Sequence, residues 1–218
     1  MGRRALRKLD PQLDLSRNLK IWDELPRPWD AVALFARAAP LEIEVGSGKG
    51  LFLSAAAAMQ PDRDFLGVEI AAKYARYAAA RLATRELANA ILVNADAQRL
   101  FRELLPDDCL AAVHVYFPDP WWKARHKKRR VMNESFVRDV ERALLHGGTL
   151  HFWTDVDEYF TTTLELLTAA TRLAGPLPVA EQPAQHDLDY RTHFERRMRL
   201  HGEAVYRAEF RKPRCNSA

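Results

Sequence analysis

Cysteine is nearly absent: Cys109 and Cys215 are the only two in 218 residues. Two thiols cannot build a disulfide framework, and neither has the local spacing of a zinc site, so no metal is expected. Long apolar runs are missing too. The most apolar helix-length stretch, Leu51–Met59, is far shorter than the roughly 20 residues a membrane span needs. The opening "MGRRALRKLD" is charged with no apolar run behind it, so it does not read as a secretory signal. No internal repeat or low-complexity segment occurs. These absences argue against a disulfide-stapled secreted protein, a zinc module and a membrane protein. The expectation is a soluble, cytoplasmic chain with no membrane partner.

What is present fits one globular domain. Hydrophobic residues make up 48% of the chain, enough for a substantial core. The net charge is only +4, but the pI is near 9.2 and the cations are clustered. They concentrate at Arg3–Lys8, Lys123–Arg130 and Arg191–Arg214. Clustered Lys and Arg suggest a polyanion as partner, nucleic acid before membrane. Residues 1–39 read as a basic extension, with Trp22 and Trp29 as docking points, and residues 40–218 as the domain proper.

From residue 40 onward, strand-like and helix-like segments alternate. "PLEIEV" sets Leu41, Ile43 and Val45 against Glu42 and Glu44. "DFLGVEI" (64–70), "AILVNAD" (90–96) and the nearly continuous apolar "LAAVHVYF" (110–117) predict further strands. "TLHFWT" (149–154) and "EAVYRAEF" (203–210) follow. Between them lie helical stretches, including "NESFVRDVERALLHGG", with Asn133 as N-cap, a stripe of Phe136, Val137, Val140 and Leu144, and Gly147–Gly148 as the stop. Such alternation predicts a mostly parallel sheet with helices on both faces. Ligands of such sheets lie beyond the carboxyl ends of the strands, at the switch in strand order. That rule singles out Gly46–Gly50, Glu69, Asn94–Asp96, Asp119 and Asp155.

"EVGSGKG" is not a P-loop, because Gly48–Lys49 is followed by Gly50 where a hydroxyl is required. It is not a dinucleotide fingerprint either, because Leu51 occupies the third glycine position. A plain strand-to-helix turn remains open. The residual pattern, acid-x-Gly-x-Gly-x-Gly led by Glu44, resembles the first motif of Rossmann-like methyltransferases that use S-adenosylmethionine. Small residues at Gly46 and Gly48 let backbone approach a ligand, and a carboxylate at Glu44 or Asp119 suits an ammonium and a sulfonium. Glu69 is placed for ribose hydroxyls. Asp96, with Asn94 two residues before it, is placed for the adenine.

"FPDPWWKARHKKRR" (117–130) puts one acid between two prolines, then two tryptophans, then six Lys or Arg in eight residues. Pro118 and Pro120 restrict the backbone around Asp119, so its carboxylate is held. Trp121 and Trp122 offer stacking surface or close the core. Together with "TD" at 154–155 and "THFERR" at 192–197, the stretch closely resembles the signature of the tRNA (guanine-N7-)-methyltransferases, over about residues 40–211. The resemblance implies a class I fold with a seven-stranded sheet. It also implies methyl transfer from S-adenosylmethionine to N7 of a guanine in the variable loop of tRNA. It makes Asp119 the catalytic residue and places Glu44, Glu69, Asp96 and Asp119 at the methyl donor. Lys123, Asp155 and Thr192, His193, Phe194 and Glu195 fall at the substrate, the last four on a loop before the final strand. Arg125, Lys127, Lys128, Arg129 and Arg130 would hold phosphates.

The chemistry is compatible, since guanine N7 has a lone pair and no proton to remove, which leaves alignment and charge as the main requirements. His114, inside a strand, and His126, inside the basic run, are not expected to be catalysts. The expected assembly is a monomer or homodimer without an obligatory partner subunit. Two rivals stand beside this reading: a methyltransferase of the same fold acting on a small molecule or protein, and a non-catalytic RNA-binding module.

Overall fold

The alternating stretch around Ile43 forms β2 (Leu41–Val45), an interior strand of an eight-stranded sheet. The computed structural model describes residues 6, 8–179 and 193–214, without the side chains of Ala124, Lys127, His193, Phe194 and Arg197. The remaining strands are β1 (Leu19–Ile21), β3 (Asp64–Glu69), β4 (Ala90–Asn94), β5 (Leu110–Tyr116), β6 (Leu144–Thr154), β7 (Ala174–Leu177) and β8 (Tyr206–Arg211). Their order across the sheet is β1-β4-β3-β2-β5-β6-β8-β7. Strands β1 to β6 pair in parallel, and β8 runs antiparallel between β6 and β7. The helices are α1 (Ala31–Phe35), α2 (Leu51–Met59), α3 (Ala72–Thr84), α4 (Ala97–Glu103), α5 (Glu134–Ala143), α6 (Asp157–Ala170) and α7 (His193–Leu200).

The mostly parallel α/β class is as expected, but the sheet has eight strands rather than seven. Periodicity could not reveal β1 or β7. The first is three residues long, and the second, "AGPL", carries a glycine and a proline. Strand β1 belongs to the basic N-terminal segment and pairs with β4 from Leu19↔Leu92 to Ile21↔Asn94. Buried Asn18 anchors it, donating to the carbonyls of Leu87 (2.9 Å) and Ala90 (2.8 Å). Helix α5 also ends earlier than its stripe suggests. Asn133 caps it as expected, but Leu144 is the first residue of β6, buried against the sheet rather than on the helix. A strand that starts in mid-stripe imitates one more helical turn in sequence.

Two cores cover the two faces of the sheet. Ile43, Val45, Leu66, Val68, Val113 and Val115 pack with residues of α4, α5 and α6, Phe101, Phe136 and Tyr159 among them. Phe65, Leu92, Tyr116 and Trp153 pack on the other face with α2 and α3. Glu42 and Glu44 are nonetheless both buried. Glu42 accepts from Arg63 (2.6 Å) and lies 2.7 Å from His114 Nε2, while His114 Nδ1 lies 2.9 Å from the Tyr116 hydroxyl. Burial works to raise the Glu42 pKa, but the His114 and Arg63 interactions outweigh it and hold the carboxyl below its usual value. His151 stacks on His114 with ring centroids 4.7 Å apart. His114 thus holds the interior of the sheet together, as a strand position implies.

Gly67, in β3 and paired with Glu44, ties the sheet to the loop after β2. A Cβ built there would lie 2.5 Å from Ser47 Oγ, 2.8 Å from Leu53 Cδ2 and 3.0 Å from Leu92 Cδ1. Gly67→Ala should therefore destabilise the protein by about 1–3 kcal/mol through overpacking. A drop in the urea midpoint at constant slope is the expected measurement.

Candidate active site

Strand order reverses at β2: β3 and β4 lie on one side of it, while β5 and β6 lie on the other. The parallel register pairs Val45 with both Val68 and Val115, so the carboxyl ends of β2, β3 and β5 finish side by side. Glu69 ends β3 itself, and the loops that follow β2 and β5 carry Gly46–Gly50 and Asp119. Topology alone brings together three residue groups separated by up to some seventy positions in sequence.

Gly46 (φ +78°) and Gly48 (φ +53°) occupy the left-handed region. Among the described residues, a Cβ on Gly46 would meet nothing within 4 Å, and one on Gly48 only the Gly46 carbonyl at 4.0 Å. What demands glycine at these two positions is backbone conformation, and the space above them is open for a ligand. Glu69 clasps the loop: its carboxylate accepts from Gly48 N and from Ala71 N, both at 2.8 Å. Asn94 pairs with Glu69 across β3 and β4 and donates to the carbonyls of Glu69 (2.8 Å) and Ile70 (3.0 Å). Asn94 therefore sets the position of Glu69. Asp96 is exposed and caps α4, accepting from Gln98 N at 2.8 Å.

Glu44 lies beneath the loop. It is 4% exposed, and its Oε2 has no hydrogen-bond partner among the described residues. Burial pushes its pKa up to about 8, against a hydrogen bond from Ser47 and with help from the neighbouring Glu69 charge. A buried carboxyl oxygen left unpartnered is costly and calls for an explanation. A ligand cation above the open glycine backbone supplies one. Glu44, Glu69 and the glycine loop thus fit S-adenosylmethionine, whose ammonium needs an acceptor and whose ribose needs a carboxylate.

Asp119 is exposed on the loop after β5. Phe117 (φ +50°) and Trp121 (φ +45°) flank the Pro-Asp-Pro turn, both in the left-handed region. Each such aromatic residue costs about 1–3 kcal/mol. The loop begins where Phe117 N donates to Trp153 O (2.8 Å), which prolongs the β5–β6 pairing. Trp122 is 69% exposed, whereas Trp121 is partly covered, with the Arg129 guanidinium 5.1 Å from its ring centre.

The basic run forms a 3-10 helix, Ala124–Arg129. Lys123, Arg125, Lys128 and Arg129 are exposed there. The side chain of Lys127 lies outside the described residues. Arg130 departs from the expected row of phosphate ligands. It is 7% exposed and bonded to Pro120 O and to Glu158. Its position at the end of the run, immediately before the buried segment leading into α5, turns it inward.

Asp155, half-buried, follows Thr154 at the end of β6, one strand beyond β5. Thr192 lies outside the described residues. His193, Phe194 and Glu195 open a helix, α7, rather than sitting on a loop, and the first two side chains are not described. Glu195 is 2% exposed and paired with Arg199 and Arg207, each at 3.4 Å. Its reading as a substrate ligand rests on an acid that this structure uses to tie α7 to β8.

Sequence reasoning did not single out Glu158 and Tyr159, which contact Arg130. The one available signal was the spacing of Glu158 and Tyr159 behind the "TD" pair, at the start of α6.

A cavity of about 550 Å³, lined by Glu42, Arg63, His114 and His151, opens near the starts of β2 and β6. It is away from this chemistry, and the open carboxyl-end cleft is the better candidate on topological and electrostatic grounds.

Because the folded pKa of Glu44 lies above its unfolded value, its contribution to stability is fully present below about pH 4.5 and is lost as pH rises through about 8. Glu44→Gln removes this loss. In protein prepared without ligand, the melting temperature of the variant should gain on wild type steadily between pH 5 and 8.5. Parallel curves would show that Glu44 ionises normally.

Residues 38–208 match a methyltransferase family described as "Putative methyltransferase". The tRNA (guanine-N(7)-)-methyltransferase of Rhodopirellula baltica is 50% identical over 97% of this chain and 80% of its own length. That of Cupriavidus necator is 38% identical over 86% of this chain and 72% of its own. Among solved structures, the 16S rRNA methyltransferase KamB superposes with a TM-score of 0.59 at 15% identity, over 83% of this chain and 91% of that one. It shares the fold. The matched span takes in the glycine loop, Glu69 and the Asp119 loop alike, and the chain belongs to the tRNA (guanine-N(7)-)-methyltransferase family.

Proposed function

We propose that the chain transfers the methyl group of S-adenosylmethionine to N7 of a guanine in the variable loop of tRNA, forming 7-methylguanosine. Family membership supports the reaction. One observation supports the assignment of residues: Asp119 stands on a strained loop that follows β5, the neighbour of the strand that ends in the glycine loop, and that leads into a row of exposed cations.

When bound, S-adenosylmethionine supplies an electrophilic methyl group on a sulfonium. Glu44 would accept from its ammonium and Glu69 from its ribose hydroxyls, with the Gly46–Gly48 backbone alongside. Asp96 and Ile70 border the far end, Ile70 being 71% exposed directly after Glu69. Guanine N7 offers a lone pair and carries no proton, so no side chain has to act as a base. The work left to the protein is alignment and charge. Asp119, anionic and fixed by its neighbours, stabilises the positive charge that the purine acquires. Lys123 and the exposed Arg125, Lys128 and Arg129 hold phosphates, giving affinity without reading sequence. Asp155, after the neighbouring strand, is placed to accept from the guanine N1–H and amino edge.

The decisive experiment maps 7-methylguanosine in unmodified tRNA treated with the purified protein and S-adenosylmethionine. A single methylated guanine in the variable loop is expected. Methylation confined to another region, or equal transfer to free guanosine, would overturn the proposal.

Asp119→Asn keeps the shape and one acceptor but removes the charge. The methyl-transfer rate should fall roughly 10²–10³-fold with both substrates saturating in single turnover, while the melting temperature stays near wild type. A rate within a few-fold of wild type would reduce Asp119 to a binding residue.

A further inference from the structure

Arg130 closes the active-site loop on itself. Its Nε donates to the Pro120 carbonyl at 2.8 Å, one residue after Asp119. Its Nη2 donates to Glu158 Oε2 at 2.7 Å, and Nη1 reaches Glu158 Oε1 at 3.4 Å. The guanidinium also lies over the Tyr159 ring, 4.4 Å from its centre. Tyr159 is itself fixed, buried with its hydroxyl accepting from Met132 N at 3.3 Å. The Arg130 carbonyl accepts from Asn133, the cap of α5, at 3.2 Å. One residue therefore links the three: its side chain joins the loop bearing Asp119 to the start of α6, and its main-chain carbonyl meets the cap of α5.

This arrangement has work to do. Phe117 and Trp121 hold left-handed backbone on either side of Asp119, a conformation that relaxes unless neighbouring contacts enforce it. Pro120 has no N–H, so its carbonyl is the group through which a hydrogen bond can grip that residue. An arginine suits the task because its planar fork can hold a carbonyl and a carboxylate at once, which a lysine ammonium cannot do with the same geometry. We propose that Arg130 is a positioning residue for methyl transfer: braced by Glu158 and Tyr159, it holds the Pro-Asp-Pro loop so that the Asp119 carboxylate stands at the reacting purine. The proposal rests on the role given to Asp119 above. It removes Arg130 from the phosphate ligands and brings Glu158, some forty residues away from Asp119 in sequence, into the catalytic geometry.

The test compares Arg130→Lys, Glu158→Gln and Lys128→Ala in single-turnover methylation of tRNA and in tRNA binding over a range of salt. Misplacement of a reacting group by about 1 Å costs up to about 100-fold in rate. Arg130→Lys should therefore lower the saturating rate about 10–100-fold, with the half-saturating tRNA concentration within about threefold of wild type. Its log–log salt slope should not change. Lys128→Ala, which removes a phosphate contact, should reduce that slope by about 0.7–0.9 unit. Glu158 is a half-exposed surface partner, so Glu158→Gln folds even if a change at buried Arg130 does not. Its rate should fall about 3–10-fold with binding intact.

In an Asp119→Asn background, Arg130→Lys should cost little more, because the group it positions has lost its charge. An unchanged rate in both Arg130→Lys and Glu158→Gln would overturn the proposal. So would an Arg130→Ala variant that loses salt slope as Lys128→Ala does. If instead Asp119→Asn alone keeps the wild-type rate, the catalytic reading of Asp119 fails, and that outcome is separate from any result at Arg130.

Discussion

Parallel pairing of β2 with β3 on one side and β5 on the other is the constraint from which the site follows. A right-handed crossover from each strand must climb over a face of the sheet before the chain returns. The chain therefore leaves β2, β3 and β5 at one edge, and the helices that follow begin beyond it. At the reversal of order, the helix after β2 departs toward one face and the segment after β5 toward the other, leaving a crevice between them. The glycine loop, Glu69 and Asp119 line that crevice because their strands are neighbours, with no contact between distant loops needed to assemble them.

The two carboxylates given roles in the proposed chemistry are held in opposite ways. Glu44 is inside, on a strand, with its charge disfavoured by burial. Asp119 is outside, on a loop, where position must be enforced by contacts. Desolvation governs the first and conformational strain governs the second. The tightly packed sheet offsets both costs: Gly67 leaves room for Ser47, and Trp153 secures the first residue of the strained loop.

Much of this was legible in the sequence because it depends on local patterns. Alternation at Leu41–Val45 marked the central strand, and the glycines and the prolines around Asp119 marked the turns that follow β2 and β5. Partners distant along the chain were not legible. Glu42 and His114 are 72 residues apart, and nothing near either announces the other. Arg130 looks like the last member of a cationic run, and only its burial beside Glu158 separates it from Arg129. Glu195 reads as a loop acid because "THFERR" carries no strong helical signal, yet its pairing with Arg199 and Arg207 stabilises α7 where propensity alone is weak. The strand count failed for a related reason: three residues of β1 are too few to show a period, and pairing with β4 makes them a strand.

The two outermost strands carry a consequence for how copies of the protein behave around a long polyanion. Such a partner gathers basic proteins to high local concentration, where exposed sheet margins can zip together into aggregates. Here one margin is β1, three residues long with a lysine at its centre, and the other is β7, in which Pro176 has no N–H to offer. Neither provides a continuous ladder on which a neighbouring chain could add a strand. The sheet is widened by these two short pieces, and neither gives it a long regular edge.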